Sequence, residues 1–310
     1  MANEITLATL VSNGGRIAKI LGANVHINLF DSQIGLRRLL TYYALSGPSA
    51  TLNTTKLTMG YAAAAASSET SGGASNTLLS TGNFDLTAAR YLLKMQPSDL
   101  FAMTSRGAPV TIDTITMALI AAVDQTIASL LTGLFSGVSG NVGTSGVALD
   151  PDVFFDAIYV LNLANNPRGL AAVLHPKQVN DLIEGMRGET GAIQFRSDIQ
   201  GMLGNPGSAY RATILGVDVY QSDRVRLANA DADRQGCMFS EGAFAYTLGD
   251  VPSIIGAGMI NPGNIIMQTP EMFIELSRDA DNGLSSLILN MYPGVAEAED
   301  ARAVKITTDA

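Results

Sequence analysis

Few residues in this 310-residue chain could do chemistry, and none stands in a constellation that completes a reaction. His175 precedes Pro176 and could act as a general base. It has no partner, because there is no Gly-x-Ser-x-Gly motif and no cysteine close by to serve as nucleophile. It reads as a structural histidine. His26 carries less signal still, and two histidines do not make a histidine-rich metal cage. Cys237, the single cysteine, lies between Gly236 and Met238 in an apolar run and reads as a small buried hydrophobe.

The remaining patterns fail on spacing. Gly140-Asn-Val-Gly-Thr-Ser-Gly146 is rich enough in glycine to suggest a phosphate cradle, but it follows a helix and lacks the Gly-Lys-Ser/Thr ending. It reads as a flexible connector. Asp223, Asp231 and Asp233 could offer oxygen ligands to a cation, yet they lack the ordered loop of a calcium site and read as a solvated turn. Asn53-Thr-Thr55 matches a glycosylation acceptor, which has no meaning in a bacterial cytosol. No catalytic, cofactor-binding or metal-binding residue is expected. The chain does not read as an enzyme.

Composition points to association instead. The hydrophobic fraction is 47%, while the charged fraction is only 15%, against a usual quarter. Mean hydropathy is positive. A chain this poor in charge is expected to cover much of its surface with partners. Of 19 basic residues only Lys19, Lys56, Lys94, Lys177 and Lys305 are lysines. Arginine is favoured at interfaces and lysine depleted there, although genomic base composition produces the same bias. The net charge of −9 comes without a basic block, so no dedicated nucleic-acid footprint is present. One cysteine excludes an internal disulfide and fits synthesis in a reducing cytosol. Met1 to Ile5 lacks the basic segment of a secretory signal. The best membrane-span candidate, Thr114 to Phe135, has Asp124 and Gln125 at its centre and reads as a buried helix.

Along the chain, residues 1–45 read as short helices on an arm, with Leu36, Leu39 and Leu40 among the apolar patches. Thr51 to Met95 reads as a long hairpin. Leu57, Met59 and Tyr61 alternate on one side, and Phe84, Leu86 and Ala88 on the other, around an Ala/Ser/Gly tip over 62–83. The alternation changes phase at Arg90, which predicts a bulge or a new burial partner there. Such a ribbon has too little material for its own core and needs a neighbour. Thr111 to Phe135 reads as one long helix with Ile112, Ile115, Leu119, Val123, Leu130 and Leu134 on its apolar stripe. Asp150-Pro151 starts a second helix reaching Asn162, Ala171 to Leu174 is a short buried strand, and a helix follows His175 to Ile183. Gly185 to Ser208, with six glycines, reads as a long loop. Strands are expected over Ile214–Val225 and Gly236–Tyr246, then an extended run from Met272 to Tyr292, a break at Gly294-Val295 and a last strand over Ala303–Thr307.

This order resembles the HK-97-like fold of tailed-bacteriophage major capsid proteins. Leu86-Thr-Ala-Ala-Arg-Tyr with Pro97-Ser-Asp-Leu100 is similar to that family's strand returning from an extended loop to a spine helix. Val173-Leu-His-Pro-Lys-Gln-Val179 resembles its strand-then-helix passage. Leu215-Gly-Val-Asp-Val-Tyr-Gln-Ser-Asp223 resembles its Gly-Val-Pro-Val strand, with Asp218 where proline is common. Together these stretches span most of residues 84–310.

The resemblance implies an α+β architecture: an N-terminal arm (1–45), an extended hairpin loop (46–95), a peripheral domain with the spine helix (96–175), an axial domain (176–265) and a return to the peripheral domain (266–310). It implies a shell protein that self-assembles into hexamers and pentamers around phage DNA, held by non-specific contact, in the virion capsid after assembly in the host bacterial cytoplasm. Separate scaffolding and portal proteins, and a decoration protein, are the further partners it suggests. No cofactor and no membrane is implied. Intersubunit contacts are expected from Leu57, Met59, Tyr61, Phe84 and Leu86 on the hairpin, and from Arg187, Glu189, Arg196 and Asp198 on the axial loop. An encapsulin-like nanocompartment shares the fold and is the alternative. A surface-layer or filament protein is a more distant one, suggested by the Ala/Ser/Thr/Gly-rich stretch.

Overall fold

The computed structural model describes residues 36–45, 51–59, 79–96, 112–163, 169–188, 210–249, 251, 262–268, 272–279 and 284–309. His26 lies outside them, as does most of the arm. The first described strands are β1 (Thr41–Tyr42), β2 (Thr51–Met59), β3 (Leu79–Thr87) and β4 (Tyr91–Met95). Helix α1 (Ile112–Leu134) follows, then β5 (Asn141–Val142), α2 (Pro151–Leu163), β6 (Ala171–Leu174) and α3 (Pro176–Gly188). Next come β7 (Tyr210–Ile214), β8 (Val217–Gln221), β9 (Leu227–Ala228), β10 (Asp233–Phe239) and β11 (Phe244–Leu248). The chain finishes with β12 (Ile265–Gln268), β13 (Met272–Asp279), β14 (Leu284–Met291), β15 (Pro293–Glu297) and β16 (Ala303–Asp309).

Four sheets form. The largest runs β5-β16-β10-β6-β8-β7, with β9 beside β10; a second runs β12-β13-β14-β4, a third β1-β11-β15, and β2 pairs with β3 alone. Both faces of the large sheet are covered, because alternate residues of a strand face opposite ways. Ala171, Val173, Cys237, Phe239 and Ala303 join α1 and the second and third sheets in one core. Ala172, Leu174, Met238, Val304 and Ile306 join α2 and α3 in the other. This is why the four residues of β6 are all apolar and all buried.

The long helix stands where expected, but its stripe is rotated. Val123, Ile127, Ala128, Leu131, Thr132 and Phe135 are buried, whereas Leu130 and Leu134 are only half-buried. Ile112, Ile115 and Leu119 lie on the first turns, outside the described side chains. Phe135 meets Phe239 and Phe244 at ring-centroid distances of 6.3 and 5.9 Å. Asp124 faces Arg37 at 3.9 Å, which accounts for a carboxylate midway along an apolar helix. Among the described residues no helix is long and apolar enough to cross a membrane.

Several expected boundaries move. The run 214–225 is a hairpin: β7 and β8 meet at a two-residue turn in which Leu215 and Gly216 both have positive φ, 52° and 82°. That pair of angles suits the right-handed twist of a hairpin. The run 236–246 splits at Gly242 into β10 and β11, which enter different sheets. Met272–Tyr292 is likewise a hairpin, β13 against β14, and the expected break at Gly294 is the strand β15. Gly140–Gly146 is held in place: β5 pairs with β16, and a side chain on Gly143 would strike the Thr307 carbonyl oxygen at 2.4 Å. The large sheet also takes residues 141–142, 171–174 and 303–309, from outside 176–265. Non-local pairing of β16 with β10 and β5 draws the C-terminal segment into it.

Candidate subunit interface

The residues with chemical potential are spent on structure. His175 caps α3: its Nδ1 accepts the Lys177 N–H at 3.2 Å, while its own N–H donates to Gln178 Oε1 at 3.0 Å. This is a reciprocal cap of the kind that satisfies free N–H groups at a helix start. Burial, then the Arg234 charge, lowers the imidazole to about 4. Gln178 is fully buried and donates to Thr308 Oγ1 at 2.9 Å, stitching α3 to β16. Lys177 bridges Asp181 and Asp309 at 3.0 and 3.1 Å. Cys237 is buried, and that burial pushes its thiol pKa up.

Of the three candidate cation ligands, Asp233 is buried and already accepts hydrogen bonds from Ser145, Asn229 and the Gly146 N–H. The Ser145 bond comes first in holding its carboxyl below the usual range. Asp231 and Asp223 are exposed, and among the described residues no group of three potential metal ligands gathers. Asn53, in the glycosylation-like triplet, donates to Asp85 Oδ1 at 2.6 Å across the ribbon.

The remaining candidate site is the β2–β3 ribbon. Thr51 pairs with Thr87 and Met59 with Leu79, so β3 takes in the last five residues of the expected tip; residues 60–78 lie outside the described ones, Tyr61 with them. Its base is fixed to its own chain. Leu86 is 0% exposed, leaving nothing to offer a neighbour, and is reassigned from subunit contact to intrachain anchor. Phe84 is half-buried, edge-on to Tyr43 at 5.7 Å. The Ala89 N–H donates to Pro293 O at 3.2 Å, and the phase change near Arg90 is a change of partner: β3 pairs with β2, while β4 pairs with β14.

The ribbon's apolar positions change parity along its length. Leu52 opposes Leu86 and Thr54 opposes Phe84, whereas further out Leu57 opposes Thr81 and Met59 opposes Leu79. Alternate positions of a strand lie on opposite faces. The base set and the distal set therefore belong to different faces, a distinction that residue type alone does not carry.

On the second expected contact, Arg187 is exposed but sits in the last turn of α3, which continues to Gly188. Gly185 is helical too, and packs where a side chain would meet the Pro151 ring at 2.5 Å. The expected loop start at Gly185 was misplaced because glycine there serves close helix packing, not backbone freedom. Glu189, Arg196 and Asp198 lie outside the described residues.

Missed by sequence reading was an apolar outer side of α2, where Tyr159 and Leu163 are 62% and 64% exposed. The signal was available: Phe154, Ala157 and Leu161 already supply a full buried stripe, so the other apolar residues of α2 are surplus to its own core.

No family model matches the sequence, and no curated protein matches it significantly. Solved structures do. The head structure of Helicobacter pylori bacteriophage KHP40 aligns with 99% of this chain and 98% of its own at TM-score 0.60 and 11% identity. The Mycobacterium phage Che8 structure covers 92% and 91% at TM-score 0.57 and 14% identity. The holo-SrpI encapsulin complex from Synechococcus elongatus covers 94% of each chain at TM-score 0.59 and 14% identity. The chain has the HK-97-like α+β fold.

Proposed function

We propose that this chain is a major capsid protein, whose copies close into an icosahedral shell around phage DNA. The role is structural, not catalytic: the polar residues tested above cap helices and stitch strands. The reading is carried by the β2–β3 ribbon. A two-stranded ribbon is marginal in water by itself; among the described residues this one pairs with no further strand, and it is anchored by its own chain at the base. A neighbouring copy laid under its distal half would supply the missing cover. Full-length likeness to phage capsid structures supports the same reading.

Closed-shell symmetry then supplies the mechanism. Head-to-tail contacts between identical subunits generate rings when the rotation closes, giving hexamers and pentamers. Packaged DNA would be held by non-specific contact, and separate scaffolding, portal and decoration proteins would complete the particle in the bacterial cytoplasm. The encapsulin likeness favours one alternative, a shell that stores protein. Electron microscopy of the purified chain tests shell formation. Nuclease-protected DNA inside particles supports the capsid reading, and a protein cargo without DNA replaces it with the compartment. Filaments or monomers would overturn both.

A further inference from the structure

Two exposed apolar features sit at opposite lateral edges of the large sheet. Helix α2 packs over β16 and β5, near one edge, and exposes Tyr159 and Leu163 on its last turns. Strand β7 forms the other edge, and its turn to β8 exposes 51% of Leu215. About four strand spacings, roughly 19 Å, separate β16 from β7.

Leu215 is an unexpected residue for its place. It holds φ +52° at the first central position of the turn, a conformation that asparagine, aspartate and glycine adopt far more readily than a branched apolar side chain. Half exposed, it is not there for its own core either. An unfavourable backbone with an exposed apolar side chain is a combination that points to a use outside the subunit.

Strand directions put the two features at one level. β8 runs parallel to β6, and the Asp218 N–H donates to Leu170 O at 3.0 Å, so the β7–β8 turn lies beside the start of β6. The first turn of α2 stands at the opposite end, where Val153 and the Thr307 carbonyl both border Gly143, so its last turn points to this one. Charges match at the same spacing: Asp156 and Asp152 stand about 10 and 16 Å back along α2 from Leu163. Arg211 stands about 13 Å back along β7 from Leu215.

We infer that the C-terminal end of α2 receives the β7–β8 turn of a second copy, with Leu215 against Tyr159 and Leu163 and Arg211 beside the α2 aspartates. The contact is head-to-tail, and contacts of that kind close a ring when the rotation between copies divides a full turn. It deepens the shell reading and rests on it.

Leu215→Asn separates this role from a structural one. Asparagine suits the turn better, so the free subunit should keep or raise its melting temperature, while the concentration needed for assembly rises at least tenfold. Leu163→Lys should impair assembly alike, and Leu163→Lys combined with Leu215→Asp should restore it through a new ion pair. Should wild-type protein form shells while Leu215→Asn assembles at the wild-type concentration, or melts lower as a free subunit, the contact is wrong and the shell reading stands. The same holds if the double variant fails to recover. If wild-type protein forms no shell at all, the shell reading falls and this contact with it.

Discussion

Gly294 lies so close to Thr87 that a Cβ on it would sit 2.3 Å from the Thr87 carbonyl oxygen and 2.7 Å from its carbonyl carbon. Both obstacles are backbone, which cannot swing aside as a side chain can. Glycine in β15 is therefore what lets the base of the β2–β3 ribbon seat on its own subunit. Gly294→Ala should cost about 1–3 kcal/mol, as overpacking does. Chemical denaturation measures it, with loss of hydrogen-exchange protection concentrated at Leu86 and Thr87. An unchanged midpoint would mean the ribbon is held elsewhere.

The distal ribbon is expected to act between copies and not within one. Replacing residues 60–78 with a short turn should leave the subunit folded, since Leu86 and both buried cores lie outside that stretch. Shell yield should collapse. Sedimentation separates the outcomes: normal particles from the shortened chain would remove the ribbon from the assembly mechanism.

Ile127 is fully buried on α1 between Val123 and Leu131. Ile127→Ala should destabilise by about 2–5 kcal/mol through lost burial and a residual cavity. Ile127→Asp would bury an unpaired charge and should prevent folding. Leu130→Ala, at a half-buried position, should cost clearly less. Equal costs at 127 and 130 would contradict the observed helix rotation.

The depressed His175 imidazole links stability to pH. In the unfolded chain it takes up a proton near its ordinary value of 6.5, whereas the folded chain resists protonation until about 4. Stability from this group is complete above pH 6.5 and declines as pH falls towards 4. His175→Asn keeps an acceptor for the Lys177 N–H and removes the titration. Its melting temperature should fall less than that of wild type between those pH values; parallel curves would place the dependence on other groups.

Sequence alone carried the element types wherever one local rule dominated. The Asp150-Pro151 start of α2 is such a case: Asp150 Oδ1 accepts the Asp152 N–H at 2.9 Å, as a capping aspartate should. So is the α1 helix, whose apolar spacing extends over 23 residues. The ribbon was legible from alternation, and its strands pair over nine residues each.

Tertiary structure decided which apolar residues were core and which were left over. Leu86 and Leu57 look alike in sequence, but the fold buries the first completely, and the ribbon register sets the second on the opposite parity. Gly185 resembled a loop glycine until Pro151 was found packed against it. Leu215 carried no flag at all, and Tyr159 and Leu163 could be read only as apolar residues that the buried stripe of α2 does not need; their exposure depends on what packs around them in space. Local propensity sums over neighbours in sequence, whereas burial sums over neighbours in space. In a sheet that pairs residues 141, 305, 237 and 173 in a row, only the fold brings those neighbours together.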